Sequence, residues 1–284
     1  MRKYLNFHVL YFIVVIPFIT DLTHSQTVIG EISPPPNDYK RIEIEKNSFA
    51  EYLRNLPLKE KGSDVINYRG DVFKSGSDTS VAFIVNMDIM GRRLEQCMDI
   101  LVRLYAEYLW SVKQIDSLIL PLPGGYWLQW RDWQSGLRPF FKGIKMKMQK
   151  SIQHGNPEQI YQSYLNTIYN ESHTQQFFHA YQSVPRENVQ IGDIIIKKGT
   201  KGHAVMIVDL AKNKEGELAA LIGNGDTPAC QLFLLNYKVN RPWIPLKFDQ
   251  ETIKLPLKRV MKWEGLRRFS LPKEKSGHKR DVIN

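Results

Sequence analysis

The hydrophobic and polar positions of the chain follow two patterns, one typical of β-strands and one typical of α-helices. Two apolar segments, Asp193–Lys197 and His203–Leu210, are separated by a turn that contains glycine. Short apolar runs bounded by turn residues predict buried strands. A third run, Leu218–Ile222, follows another turn and is predicted to form a hairpin with His203–Leu210. We expect the rest of the chain to be organised around these strands.

The turn of this hairpin predicts which residues face each other at its open end. If the turn centres between Lys214 and Glu215, His203 lies opposite Asp226, and Asn224 lies close by. The apolar residues that follow His203 fix its backbone, so its imidazole can be directed at a neighbouring element. Such a histidine has either a catalytic or a structural role.

The strongest helical pattern covers Arg92–Val112. Its apolar side chains recur at three- and four-residue spacing, and Cys97 lies on the same apolar stripe as Leu94 and Leu101. A helix with one apolar stripe is expected to pack that stripe against a sheet. We expect this helix to cover one face of the strands described above.

The remaining elements have shorter patterns. Ser48 is a predicted N-cap, because Glu51 follows three residues later in a capping-box arrangement. The further predicted elements are the helices Phe49–Asn55, Ser163–Ile168 and Thr174–Tyr181 and the strands Arg41–Glu45, Val81–Ile89, Ile115–Leu120 and Leu232–Tyr237. Together they predict an α+β fold, a single domain with an antiparallel sheet and packed helices.

The two ends of the chain differ in composition from the part between them. Arg2 and Lys3 precede an apolar run, Val9–Ile19, and small residues follow, which is the layout of a signal peptide over residues 1–25. The run is short for a membrane span, and an N-terminal anchor is the alternative. We predict a proline-rich linker at 26–40, a domain at 41–265 and a basic disordered tail at 266–284.

The charge of the chain favours anionic partners. The formal net charge is +10 over 284 residues, which suits cell-wall polymers, lipid surfaces or nucleic acid. No zinc-finger, RRM or helix-turn-helix pattern is present, so nucleic acid is not the predicted partner. We expect an exported protein, periplasmic or secreted, without a stable membrane anchor after signal cleavage, whose partner is a cell-wall peptide or glycan.

Cys97 and Cys230 are the only cysteines of the chain. In an oxidising compartment they either pair or remain free thiols. No CxxC or HxxxH spacing accompanies them, so we predict neither a metal site nor a cofactor.

The order of polar residues along the chain suggests one catalytic arrangement. A Cys/His hydrolase needs a thiol near an imidazole and a third polar group that orients the ring. Cys97, His203 and then Asn224 or Asp226 occur in the order of papain-like folds. The alternative is that Cys97 is a small core residue with a raised pKa, because it shares the apolar stripe of its helix. Asp193 is expected to support a turn.

Three of the six tryptophans lie within eight residues. Trp127, Trp130 and Trp133, with Arg131 beside them, are candidates for a platform that stacks against a sugar or peptide. The alternative is that these rings fill the core, since each of them buries a large apolar area.

Several motifs, taken in order, resemble an uncharacterised bacterial family, the "domain of unknown function" family numbered four-eight-four-six. They include Leu53–Lys59 (LRNLPLK), Leu94–Asp99 (LEQCMD), Arg103–Leu109 (RLYAEYL) and Gly202–Val205 (GHAV). The resemblance extends over roughly residues 40 to 245. It implies no particular activity.

The Gly-Asp strand followed by Gly202–Val205 is also similar to the C-terminal half of NlpC/P60 and CHAP cysteine peptidases and amidases of cell-wall metabolism. This similarity covers about forty residues. It implies a papain-like core with His203 as base and Asn224 as orienting residue. The chain departs from the pattern at the nucleophile, where Gln96-Cys97 replaces Asp-Cys or Asn-Cys.

These observations lead to two functional hypotheses. The first is an exported hydrolase of amide or peptide bonds in cell-wall material, with Cys97 as nucleophile, His203 as base and Asn224 as orienting residue. The second is a non-catalytic envelope protein that binds a glycan or peptide on the same scaffold.

Overall fold

An antiparallel β-sheet forms the centre of the structure, a computed structural model that describes residues 27–152, 154–270 and 282–283. The α-helices are α1 (Phe49–Arg54), α2 (Cys97–Ser111), α3 (Trp130–Gln134), α4 (Pro157–Glu171) and α5 (Thr174–Ala180). The strands are β1 (Lys40–Arg41), β2 (Val65–Ile66), β3 (Val72–Lys74), β4 (Val81–Ile84), β5 (Ile119–Pro121), β6 (Trp127–Gln129), β7 (Leu137–Lys142), β8 (Lys145–Lys150), β9 (Ile194–Lys197), β10 (His203–Lys212), β11 (Leu218–Asn224), β12 (Phe233–Leu235), β13 (Ile244–Leu246), β14 (Thr252–Ile253), β15 (Met261–Lys262), β16 (Leu266–Arg267) and β17 (Val282–Ile283). Short 3-10 helices cover Ile29–Glu31, Ile115–Ser117, Pro123–Gly125, Arg186–Asn188 and Trp263–Gly265.

The main sheet has eight strands within the described part of the chain. Its path is β16–β9–β10–β11–β12–β4, while β1 pairs with β10 and β13 pairs with β11. Every pair in this sheet is antiparallel. The predicted α+β domain with an antiparallel sheet and packed helices is therefore confirmed.

The hairpin of β10 and β11 has the predicted register at its open end. Val205 pairs with Asn224 and Met206 with Gly223, and the same register places His203 opposite Asp226. A bulge between Ile207 and Asp209 shifts the pairing by one residue toward the turn. The bulge leaves the end that carries His203 unchanged.

Strand β10 is buried on both faces, which explains why nearly all of its residues are apolar. Ala204, Met206 and Val208 belong to a hydrophobic cluster shared with α2. Val205 and Ile207 belong to a second cluster on the other side of the sheet. The helix therefore packs against the strand that begins with His203.

A buried carboxylate attaches the N-terminal elements to β10. Asp209 is fully buried, and its two oxygens accept hydrogen bonds from the Nε atoms of Arg41 and Arg54, each at 2.8 Å. A buried charge is stable only when paired and hydrogen-bonded in this way. The two arginines belong to β1 and α1, so both elements are held against the central strand.

Several predicted elements are shorter in the structure than the sequence patterns suggested. The Ser48 N-cap is confirmed, because its hydroxyl accepts the Glu51 amide at 3.2 Å and α1 follows. The predicted strand Arg41–Glu45 is wrong beyond Arg41, where strand pairing with β10 stops. The predicted strand Val81–Ile89 is also shorter than expected, since the observed strand β4 ends at Ile84.

The packed part of the chain extends beyond the predicted domain boundaries at both ends. In the predicted linker 26–40, Ile29 is fully buried and donates its amide to Leu56 O at 3.2 Å. In the predicted disordered tail 266–284, β16 pairs with β9, and the ring of Phe269 stacks on Tyr105 at 4.5 Å. These segments belong to the domain because their apolar side chains complete its core. The predicted signal peptide at 1–25 and residues 271–281 of the predicted tail lie outside the described residues.

Candidate functional site

Cys97 is the first residue of α2. Gln96 is the N-cap, and its backbone amide donates to the Asp99 side chain at 3.2 Å. The apolar periodicity predicted a helix from Arg92, but Arg92–Gln96 form tight turns instead, with Glu95 N donating to Arg92 O at 3.0 Å. The amide at the first helical position has no intrahelical acceptor, and the helix dipole favours negative charge there. Cys97 therefore has the position that a nucleophilic cysteine requires.

His203 is the first residue of β10, and its side chain is fully buried. Its Nε2 lies 2.8 Å from Oδ1 of Asn224, which is also fully buried. An amide oxygen only accepts, so Nε2 carries the hydrogen and Nδ1 has a free lone pair. Nδ1 has no hydrogen-bond partner within the described residues. The ring is thus oriented with its basic nitrogen unoccupied.

Two contacts bring the thiol to this pair. The Cys97 sulfur lies close to the backbone amide of Ala204, the residue after His203. Gly225, the residue after Asn224, packs so closely that a Cβ there would lie 3.4 Å from Cys97 Cα. The start of α2, the start of β10 and the end of β11 therefore meet at one place. The structure brings Cys97, His203 and Asn224 together.

Burial shifts both titrating groups of this pair toward their neutral forms. It raises the pKa of the Cys97 thiol to about 11, although the nearby Ala204 amide opposes the shift. It lowers the pKa of His203, against the opposing hydrogen bond from Asn224 and the charge of Asp226. At neutral pH both groups are therefore in their neutral forms, a thiol and an uncharged imidazole.

Cys97 opens onto a cleft of about 1160 Å³. The cleft is lined by polar and basic side chains that include Gln96, His173, Lys197, Thr227 and Arg259. Cys97 is 7% exposed, whereas His203 and Asn224 are fully buried. A ligand in the cleft would therefore meet the sulfur first, with the imidazole behind it.

The two predicted supporting carboxylates have different surroundings. Asp226 accepts from Arg259 Nη1 at 3.1 Å at the border of the cleft. Asp193 is fully buried, binds Arg268 Nε at 2.6 Å and accepts the Gln190 amide at 2.8 Å. Asp193 therefore supports the turn before β9, while Asp226 lies next to the candidate site.

The two cysteines are both free thiols. Cys230 is fully buried, and burial raises its pKa to about 12. It packs in the hydrophobic cluster on the face of the sheet opposite to α2. Cys230 is a core residue.

Two rings of the predicted substrate-binding cluster lie in the core. Trp130 and Trp133 are 2% and 3% exposed and contact Tyr164 edge-to-face at 5.4 and 5.8 Å. Trp127 is half-buried against Tyr181. Arg131 is exposed, 3.6 Å from Asp116. None of the four lines the cleft beside Cys97, within the part of the chain described, because they belong to the packing between β6, α3 and α4.

Sequence patterns missed several residues of the cleft. His173, Lys258, Arg259 and Thr227 line it, and Thr227 Oγ1 donates to Gln96 Oε1 at 2.8 Å. Gly225, which follows Asn224, was the one available signal, because a glycine there permits the close approach of α2. The other residues of the cleft come from distant segments of the chain that share no sequence motif.

Two kinds of feature, a membrane-spanning helix and a metal-ligand cluster, are absent from the described residues. No helix among them is long and apolar enough to cross a membrane. No group of three or more His, Cys, Asp or Glu side chains in the described part is arranged to hold a metal ion.

Comparison with known proteins gives one match. A protein family described as "Domain of unknown function (4846)" matches residues 29–268. Neither the curated proteins nor the solved structures contain a match. The matched range coincides with the part of the chain that packs into the domain, from buried Ile29 to Arg268. The chain belongs to the family described as Domain of unknown function (4846).

Proposed function

We propose that this protein is an exported hydrolase of amide or peptide bonds in cell-wall material, with a papain-like arrangement of Cys97, His203 and Asn224. The observation that carries the proposal is the buried, unpartnered Nδ1 of His203 next to the segment that holds the Cys97 sulfur. A buried polar atom without a partner is costly and is rarely kept without a function. A nitrogen lone pair beside a thiol is the arrangement that general-base catalysis needs.

The first chemical step is acylation of the thiol. As the sulfur attacks the carbonyl carbon, Nδ1 of His203 takes the thiol proton and a C–S bond forms. The carbonyl oxygen becomes negative near the Cys97 amide, whose N–H lacks an intrahelical acceptor. The imidazolium then gives its proton to the leaving nitrogen, the C–N bond breaks, and a thioester remains.

The second step is hydrolysis of the thioester. His203 takes a proton from a water whose oxygen bonds to the carbonyl carbon of the thioester. The C–S bond then breaks, the carboxylic acid is released, and the sulfur regains the proton from the imidazolium. In both steps Asn224 keeps the ring in one orientation, with Nδ1 directed toward the sulfur, because its amide oxygen accepts a hydrogen bond from Nε2 at 2.8 Å. The resting pair is neutral, so proton transfer accompanies attack instead of preceding it.

The proposal is tested by incubating the purified protein with a mixture of solubilised cell-wall peptides and following cleavage by mass spectrometry. We expect products that have gained one water and whose formation is lost in Cys97→Ser. Cys230→Ala is the matched control and should retain the activity, since Cys230 packs in the core and does not line the cleft. Equal product formation by the wild type and Cys97→Ser would contradict the proposed nucleophile.

A second candidate function is non-catalytic binding of a cell-wall peptide or glycan in the same cleft. The low exposure of Cys97 and its raised pKa, about 11, favour this alternative, because a buried neutral thiol is a weak nucleophile. It predicts that the wild type and Cys97→Ala bind the same peptides with equal affinity and that neither converts them.

A further inference from the structure

The cleft beside Cys97 is lined by more basic than acidic side chains. Its basic side chains are Lys197, Lys201, Lys258 and Arg259, and its lining includes one carboxylate, Asp99. Four cations around one cavity raise the local concentration of anions, since low-dielectric walls focus the field. The excess of positive charge is thus found at the site as well as in the whole chain, whose formal net charge is +10.

The partners of these cations show which of them are available to a ligand. Arg259 is neutralised by Asp226 at 3.1 Å. Lys197 donates to the backbone oxygen of Lys201 at 3.2 Å, a contact that leaves its charge uncompensated. Within the described residues, Lys201 and Lys258 have no ion-pair partner. Three positive charges of the lining are therefore unpaired.

The single carboxylate of the lining does not offset them. Asp99 is 7% exposed and lies in the first turn of α2, where its side chain caps the Gln96 amide. Burial and the neighbouring Glu95 raise the pKa of Asp99 well above its ordinary value, which disfavours its charged form. The lysines thus face a cavity with little negative charge of its own.

We infer that the ligand of this cleft is an acyl compound that carries a free carboxylate near the bond presented to Cys97, recognised by Lys197, Lys201 and Lys258. The inference rests on the proposed function for the nature of the bond, and on the unpaired lysines for the charge. An amide substrate with a free carboxylate supplies the complementary anion. Ammonium groups bind such an anion as point charges.

The charge preference can be measured on the Cys97 thiol itself, without knowledge of the substrate. Iodoacetate and iodoacetamide differ in charge and alkylate the same sulfur. The ratio of their rate constants at Cys97, at pH 7.5 and low salt, is compared with the ratio in the urea-unfolded protein. We expect the folded ratio to be about 30-fold higher, from roughly threefold for each of the three uncompensated lysine charges. It should fall toward the unfolded value in 1 M salt, where screening is nearly complete.

Matched variants assign the preference to named residues. The double change Lys201→Gln and Lys258→Gln should lower the folded ratio by about fivefold or more. Lys254→Gln is the control, because Lys254 is exposed in the same segment as Lys258 but lies outside the cleft lining. These side chains are at the surface, so thermal melting should confirm that all variants remain folded.

A second measurement tests recognition of a carboxylate ligand directly. N-acetylglutamate, which carries two carboxylates, and its uncharged diamide N-acetylglutaminamide are compared as protectants of Cys97 against iodoacetamide at equal concentrations. We expect protection by the glutamate compound to be at least fivefold stronger, and the difference to disappear in the double lysine variant. Equal protection by the two compounds would overturn the inference.

The outcomes separate this inference from the proposed function. Reaction of folded Cys97 with iodoacetamide but no preference for iodoacetate would overturn the inference alone. A Cys97 that reacts with neither reagent until the protein unfolds would overturn both, because the cleft would then give no access to the thiol.

Discussion

Nε2 of His203 and Oδ1 of Asn224 lie 2.8 Å apart, and both side chains are fully buried. The contact joins the first residue of β10 to the last residue of β11. It fixes the tautomer of the ring, because the amide oxygen can only accept. The nitrogen left free is the one that the proposed chemistry uses as base.

The first prediction concerns this hydrogen bond. Asn224→Ala should lower the rate of Cys97 alkylation at pH 7.5 by about five- to tenfold, the equivalent of one net hydrogen bond, because the ring is no longer held in one orientation. The free energy of unfolding should also fall by about 1–3 kcal/mol, since Nε2 loses its buried partner. Lys214→Ala, at an exposed position in the turn of the same hairpin, is the control for both measurements. An unchanged alkylation rate in Asn224→Ala would remove the orienting role.

The second prediction concerns pH. A thiolate–imidazolium pair has the same number of protons as the thiol–imidazole pair, so its fraction does not depend on pH between the two pKa values. These values lie below 6.5 for His203 and at about 11 for Cys97. We therefore expect the alkylation rate of Cys97 to be independent of pH between about pH 7 and 9, a range that lies between the pKa values of the two groups.

The variant His203→Gln has no such pair. Its alkylation rate should rise about tenfold for each pH unit over this range and lie about a hundredfold below the wild type at pH 7. Cys230 provides an internal comparison, because its pKa is raised to about 12 by burial. A wild-type rate that also rises tenfold per unit would show that the imidazole does not assist the thiol.

The third prediction concerns Gly225. A methyl group there would lie 2.6 Å from Ile100 Cγ2 and 3.4 Å from Cys97 Cα, so Gly225→Ala must displace the Ile100 side chain in the first turn of α2. We expect a loss of about 1–3 kcal/mol in the free energy of unfolding, together with a lower alkylation rate at pH 7.5. In the control Gly30→Ala the nearest atom is Arg54 O at 3.4 Å, an ordinary contact. A fully stable and fully reactive Gly225→Ala would contradict the described approach of helix and strand.

The fourth prediction concerns Asp99. Its pKa is raised in the folded protein, so its contribution to stability is present below the unfolded value of 3.8 and is lost as pH rises through the folded value. Asp99→Asn keeps an acceptor for the Gln96 amide but carries no charge to bury. We expect it to be more stable than the wild type at pH 8 by about 1.4 kcal/mol per unit of pKa shift. The difference should vanish near pH 4 in chemical denaturation, and a variant less stable at both pH values would contradict the assignment.

The sequence predicted those parts of the site that depend on local geometry. The turn of the β10–β11 hairpin fixed the neighbourhood of His203, Asn224 and Asp226, because strand pairing propagates register over the few residues involved. The N-cap at Ser48 was predicted for the same reason, since a capping box involves residues three apart.

The parts that depend on contacts between distant segments could not be predicted. The apolar stripe extended the helix back to Arg92, but Glu95 instead binds Arg92 and Arg103 at 2.9 Å, a tertiary arrangement. The tryptophans near Trp130 were compatible with a surface platform as well as with core packing, because composition does not record burial. Lys258 and Arg259 reach the cleft from a segment with no recognisable motif.

The edge strand β16 pairs with β9 and follows every other strand of the main sheet in the chain. During synthesis a nascent polypeptide therefore presents β9 with one side unpaired until Leu266 and Arg267 emerge. An open strand edge is a template for pairing with other chains. A product terminated at residue 265 would retain Cys97, His203 and Asn224 but would also lack the Arg268 partner of Asp193. Premature termination at this point should thus yield chains that associate through β9.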